Sequence, residues 1–138
     1  MNELQALIAK EDEDEDFDLL EAVLECSSTN GWPSVVRDAM AILEDTRSKN
    51  RWRQAANVLY WAASRTRDWP CPPMKAVAQL YECLIEHPGF GGVGIDDAEN
   101  LVWSVAKELK GIDYLSDWQP LDDPEVRQYL PETIRMTA

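Results

Sequence analysis

Three prolines in four residues, Pro70, Pro72 and Pro73 within DWPCPP, cannot lie inside a helix. Proline lacks the backbone N–H and its ring clashes with the preceding turn. This is the strongest of a series of breaks that divides the chain into segments of helical length. SSTNGWP, DTRSKN and PGFGGVG are the others, each dense in turn residues. Between the breaks, apolar residues recur at the i, i+3, i+4, i+7 spacing of one helix face. No period-two run of β-branched residues bounded by turns is present, so strands are not expected.

Phe17, Leu20 and Leu24, with Leu19 and Val23 beside them, predict a helix over 15–27. A second opens at Pro33 or Ser34 and carries Val36, Ala39, Met40 and Leu43 on one face. Trp52, Ala56, Leu59 and Ala63 form the next stripe, and Met74, Val77, Tyr81, Leu84 and Ile85 another that runs to His87. Asp96 and Asp97 suit the N-terminus of a helix bearing Ala98, Leu101, Val102, Val105 and Leu109, with Gly111 as the residue just past its end. The last segment suggests one short helix and a second after Asp123–Pro124. The expectation is an all-α fold of five to seven helices, either an irregular bundle or a short HEAT-like stack. Residues 1–138 read as one domain, with 1–14 a mobile acidic N-terminus and 131–138 a loose tail.

Charge narrows the function classes. Residues 1–30 hold ten acids and one base, 31–75 hold eight bases and four acids, and 76–138 hold twelve acids and four bases. The blocks carry −9, +4 and −8, which sum to the net −13. Such a surface repels phosphates over most of its area and attracts basic partners. The basic centre, with Arg47, Lys49, Arg51 and Arg53 around Trp52 and then Arg65 and Arg67, is better spent on the acidic flanks than on nucleic acid. MNELQALIAKEDEDED has neither a basic leader region nor a continuous apolar one, so no signal peptide is expected and the cytoplasm is the default location.

The motifs that could carry chemistry fail on context. Gly89, Gly91 and Gly94 spell G-x-G-x-x-G, but a helical segment ending in Pro88 precedes them where a strand is required. Asp96 and Asp97 then occupy the helix start where a pyrophosphate would sit. Asp12, Asp14 and Asp16 alternate like calcium ligands, yet Phe17 stands at the obligatory glycine and Val23 at the bidentate glutamate. Cys26, Cys71 and Cys83 match no zinc spacing; Cys26 and Cys83 read as core and Cys71 as a loop thiol. With His87 the only histidine, no nucleophile has a general base in prospect, and no enzyme, cofactor or metal site is expected.

What remains is EDEDEDFD, seven carboxylates around Phe17, together with the clusters DDAEN and LDDPE. In size, charge and helix content the chain resembles the small acidic helical immunity proteins of bacteria. That resemblance implies a non-catalytic protein that neutralises a cognate toxin, often a basic nuclease, by covering its active site. The partner-binding residues expected from the charge are Glu11, Asp12, Glu13, Asp14, Glu15, Asp16 and Asp18, then Asp96, Asp97 and Glu99, with Phe17 or Trp32 as the apolar anchor. An acidic nucleic-acid mimic that inhibits a nuclease, and a helical-repeat adaptor, are the alternatives. Direct nucleic-acid and membrane contacts are not expected.

Overall fold

The structure, a computed structural model, describes residues 2–45, 51–86, 95–111 and 118–135, the backbone alone for 95–100. Every regular element among these residues is helical. Six long helices follow one another: α1 (Glu3–Glu13), α2 (Leu19–Asn30), α3 (Trp32–Glu44), α4 (Trp52–Arg65), α5 (Pro73–Glu86) and α6 (Ile95–Lys110). A 3₁₀ turn (Pro120–Asp122) and two short helices, α7 (Pro124–Arg127) and α8 (Glu132–Arg135), follow among the described residues. None of the described helices is long and apolar enough to cross a membrane.

The helices form a bundle in which the principal contacts join sequence neighbours or next-but-one neighbours. α4 lies at its centre, against α3 and α6. Trp52, Ala55, Ala56, Val58, Leu59, Ala62 and Ala63 are all buried on it. Four of these seven are alanines, and small side chains let neighbouring helix axes approach closely. Trp52 is fully buried, so the aromatic within the basic stretch is core and not a nucleic-acid stacking platform. One apolar cluster runs without interruption from Leu4 to Val105.

Two expectations about the chain ends are corrected. Where a mobile acidic segment is expected over 1–14, Glu3–Glu13 is helix, with Leu4 and Ile8 buried. Asn2 accepts from the Gln5 amide while Gln5 accepts from the Asn2 amide, both at 2.8 Å, a reciprocal cap that satisfies two otherwise unpaired donors. Leu4, Leu7 and Ile8 supply the apolar face. Nor is 131–138 wholly a loose tail, since α8 buries Ile134; residues 136–138 lie outside the described set. The cause is α5, which buries Met74, Val77 and Ala78 on a side that α3 and α4 do not cover. Val126, Leu130 and Ile134 close over that side.

Helix α2 begins at Leu19, later than the expected 15, because Asp18 accepts from the Glu21 amide and fixes the start. It continues through the turn-rich SSTN to Asn30 before stopping at Gly31. Gly31 is at once the end of α2 and the cap of α3, with φ +87° and ψ 151°, a conformation that belongs to glycine. Gly111, expected just past α6, has φ +74° and donates to the Lys107 carbonyl at 2.8 Å. We expect Gly31→Ala to cost about 1–3 kcal/mol because no side chain fits that backbone. Gly111→Asn, in the left-handed region asparagine tolerates, should cost less than about 1 kcal/mol. Urea unfolding midpoints of the two variants check this, and equal shifts would contradict it.

Candidate functional site

The seven carboxylates of 11–18 occupy the corner where α1 turns into α2, and they divide by what each one does. Asp12 forms an ion pair with Arg51 at the start of α4. Asp14 caps the end of α1, its amide donating to the Lys10 carbonyl at 3.0 Å. Its carboxylate accepts from the Asp16 amide at 3.0 Å, and its carbonyl accepts from the Phe17 amide at 3.1 Å. Asp18 caps α2. Glu11 is partly buried, and burial pushes its carboxyl above the usual range. Glu13, Glu15 and Asp16 are exposed and form no ion pair with any described residue.

The corner is therefore ordered by its own acids. Three of them are engaged by backbone amides or by Arg51 and Glu11 is partly buried, which leaves three exposed. Phe17 lies between, partly buried and packed on the core, so it anchors the turn from beneath. The Asp12–Arg51 pair is open to water on both sides, with side-chain exposures of 34% and 41%. Pairs of that kind contribute at most about 1 kcal/mol. Asp12, Asp14 and Asp16 do not converge on a common point as calcium ligands would, because Asp12 is turned to Arg51 and Asp14 to an amide.

The other expected contact residues are not gathered here. Trp32 opens α3, partly buried against the core. Asp96, Asp97 and Glu99 lie on the backbone of the first turns of α6, and their side chains are outside the described set. His87 and the GFGGVG loop are outside it as well, as are Arg47 and Lys49. Arg51 is engaged by Asp12, and Arg65 and Arg67 serve the end of α4. Arg65 donates to the Trp61 carbonyl at 3.2 Å and Arg67 to the Ala63 carbonyl at 2.7 Å, satisfying groups that a helix end leaves unpaired.

A second polar cluster was not legible beforehand. At the N-terminal end of α1, the Asp38 carboxylate accepts from the Leu4 amide at 3.4 Å, and Asn2 donates to the Asp38 carbonyl at 3.1 Å. Glu3 accepts from Asn30 at 3.1 Å and from the Cys26 thiol at 3.4 Å. Burial, that hydrogen bond and the charges of Glu3, Asp38 and Glu25 all push the Cys26 thiol up, so it is a poor nucleophile. Asp38 is raised too, chiefly by burial, with the Leu4 amide opposing. This cluster clips α1 to α2 and α3. Among the described residues, no group of three or more His, Cys, Asp or Glu side chains could hold a metal ion.

No family model matches the chain, and no curated protein or solved structure is significantly similar to it. The fold and this corner define a class only: an acidic all-α bundle that carries a hydrogen-bonded, carboxylate-bearing turn at one helix junction.

Proposed function

We propose that the protein is a non-catalytic, cytoplasmic binding protein that neutralises a basic protein partner by covering its active site, as an immunity protein does for a toxin. The observation that carries this reading is the α1–α2 corner, where Glu13, Glu15 and Asp16 stand exposed on a turn held by backbone hydrogen bonds. A turn already ordered loses little conformational freedom on binding, so its charges act at low entropic cost. Three carboxylates at one corner of a −13 molecule attract Lys or Arg side chains over a distance comparable to the Debye length. Charges of this kind act mainly on the rate of encounter. Specificity then comes from apolar contact, for which the partly exposed Phe17, at the corner, and Trp32, at the start of α3, are the candidates.

The test begins with capture of the partner from the native host at low ionic strength, followed by stopped-flow association. The association rate should fall at least about tenfold between 0.05 and 0.5 M salt. The variant Glu13→Gln/Glu15→Gln/Asp16→Asn should bind slowly and almost independently of salt. Its unfolding temperature should match the parent's, because none of the three side chains is paired within the bundle's described residues. A captured partner that associates equally fast with this variant would sink the assignment of the corner. Competition by DNA for several unrelated nucleases would instead favour the nucleic-acid mimic.

A further inference from the structure

Away from the acidic corner, α3, the loop leading into α5 and the first turn of α5 line an open recess of about 230 Å³, bordered by Arg37, Met40, Ala41, Glu44, Pro70, Cys71 and Lys75. We infer that this recess is a binding site for a small organic monoanion, a carboxylate on a compact apolar body. Three observations lead there. The wall is apolar where Met40, Ala41, Pro70 and Cys71 meet, and Met40 itself is buried. Arg37 and Lys75 flank it, and neither forms an ion pair with any described residue, in a chain with twice as many acids as bases. Glu44, the one acid in the lining, is held by a 3.2 Å hydrogen bond from Gln79.

Within the lining the charge is two cations and one carboxylate, a net +1 on a molecule of net −13, with Asp38, which Arg37 also attracts, just outside it. That balance matches a single negative charge. A dianionic phosphate would face Glu44 with charge left over. The planar fork of Arg37 suits a carboxylate, which it can engage through two parallel N–H donors. The volume is below the roughly 300–1,000 Å³ of sites for drug-sized molecules, which restricts the body to about one ring or a short branched chain. Both Lys75 and Glu44 act on the Cys71 thiol, which burial raises, Lys75 lowers and Glu44 raises again; Cys71 therefore reports from within the site.

Cys71 makes the test direct. Iodoacetate and iodoacetamide are nearly equal in size and differ by one negative charge, so their rate ratio at a thiol measures local attraction for a carboxylate. In the folded protein the ratio at Cys71, read by peptide mass spectrometry, should exceed that of the same cysteine in the urea-unfolded chain by about fivefold. At Cys26, surrounded by Glu3, Glu25 and Asp38, it should fall below the unfolded value. Arg37→Gln, at an exposed position, and Lys75→Gln, at a half-buried one, should each return the Cys71 ratio toward the unfolded value without shifting the unfolding temperature. Benzoate at about 20 mM should slow iodoacetamide at Cys71 in a saturable way, while benzyl alcohol should not. A Cys71 ratio no higher than in the unfolded chain overturns the inference, and so does equal protection by benzoate and benzyl alcohol.

Discussion

Trp52→Ala will lower the unfolding temperature by roughly 10–20 °C, the largest effect expected of any single side chain here. Trp52 is fully buried at the start of the central helix, in the same apolar cluster as Ala55, Ala56, Val58 and Leu59 of α4. Truncating a buried tryptophan removes its transfer free energy and leaves a cavity that close-packed neighbours fill only partly, a cost of about 3–5 kcal/mol. That is a large share of the 5–15 kcal/mol by which a domain of ordinary stability holds together. Each kcal/mol moves the midpoint by about 2–4 °C or more in a chain of this length. Thermal unfolding followed by circular dichroism measures it. A shift below a few degrees would mean that Trp52 contributes to a surface and not to the core.

The second large effect is at Asp123, the buried acid of the C-terminal segment, 7% exposed. Its carboxylate accepts from Lys110 in an ion pair, from the Trp118 indole at 2.9 Å and from the Glu125 amide at 3.0 Å. It thereby ties the end of α6, the start of α7 and the Trp118 ring together. Trp118 in turn meets Trp103 edge-on at 5.8 Å, and Trp103 meets Tyr81 at 6.3 Å. Asp123→Ala removes the acceptor and leaves Lys110, 27% exposed, half-desolvated without its main partner; Glu125 at 3.6 Å compensates only in part. We expect a loss of about 2–4 kcal/mol.

Acid pH provides an independent reading of the same group. Burial works to raise the Asp123 carboxyl, but the hydrogen bonds from Lys110, Trp118 and the Glu125 amide outweigh it, and the net shift is downward. A carboxyl lowered in the folded state binds protons more readily once unfolded. Its stabilisation is complete above the ordinary aspartate range near pH 4 and is lost as pH falls toward the lowered folded value. Between pH 5 and pH 3 the parent should therefore lose more stability than Asp123→Asn does. Parallel pH profiles for the two proteins would contradict the assignment.

These two sites show how unequally the fold could be read from the residues. The α4 stripe was visible because Trp52, Ala56, Leu59 and Ala63 repeat at helical spacing between strong breaks. Asp123 was visible only as the residue before Pro124 at an expected helix start; that it caps α7 and also binds Lys110 and Trp118 depends on α6 ending beside it. Helix α1 was missed because EDEDED dominates the segment and hides the short apolar face of Leu4, Leu7 and Ile8. The docked C-terminus left a fainter trace in α5. Its apolar residues from Met74 to Leu84 spread beyond one stripe, and such a helix needs cover on more than one side.

The acidic corner was half legible. Seven carboxylates facing a basic centre implied some internal pairing, and Asp12–Arg51 is such a pair. Which acids would be consumed and which left outward depended on the turn geometry of Asp14 and Asp18. The recess at Arg37 and Lys75 had no signature at all. Its two cations come from separate helices, and only the packing of α3 beside the entry to α5 places them together.

By itself, then, the sequence determined that this chain is all-helical, where its main helices break, and that its surface is strongly acidic. Periodicity, proline and glycine chemistry and formal charge are local properties, carried by residues a few positions apart. Tertiary structure alone decided that α1 and the α7–α8 segment dock, that three of the seven corner acids remain outward, and that an acidic protein carries a recess lined by two cations and one carboxylate. Those outcomes depend on which helix faces are adjacent, and adjacency is set by the burial of the whole core.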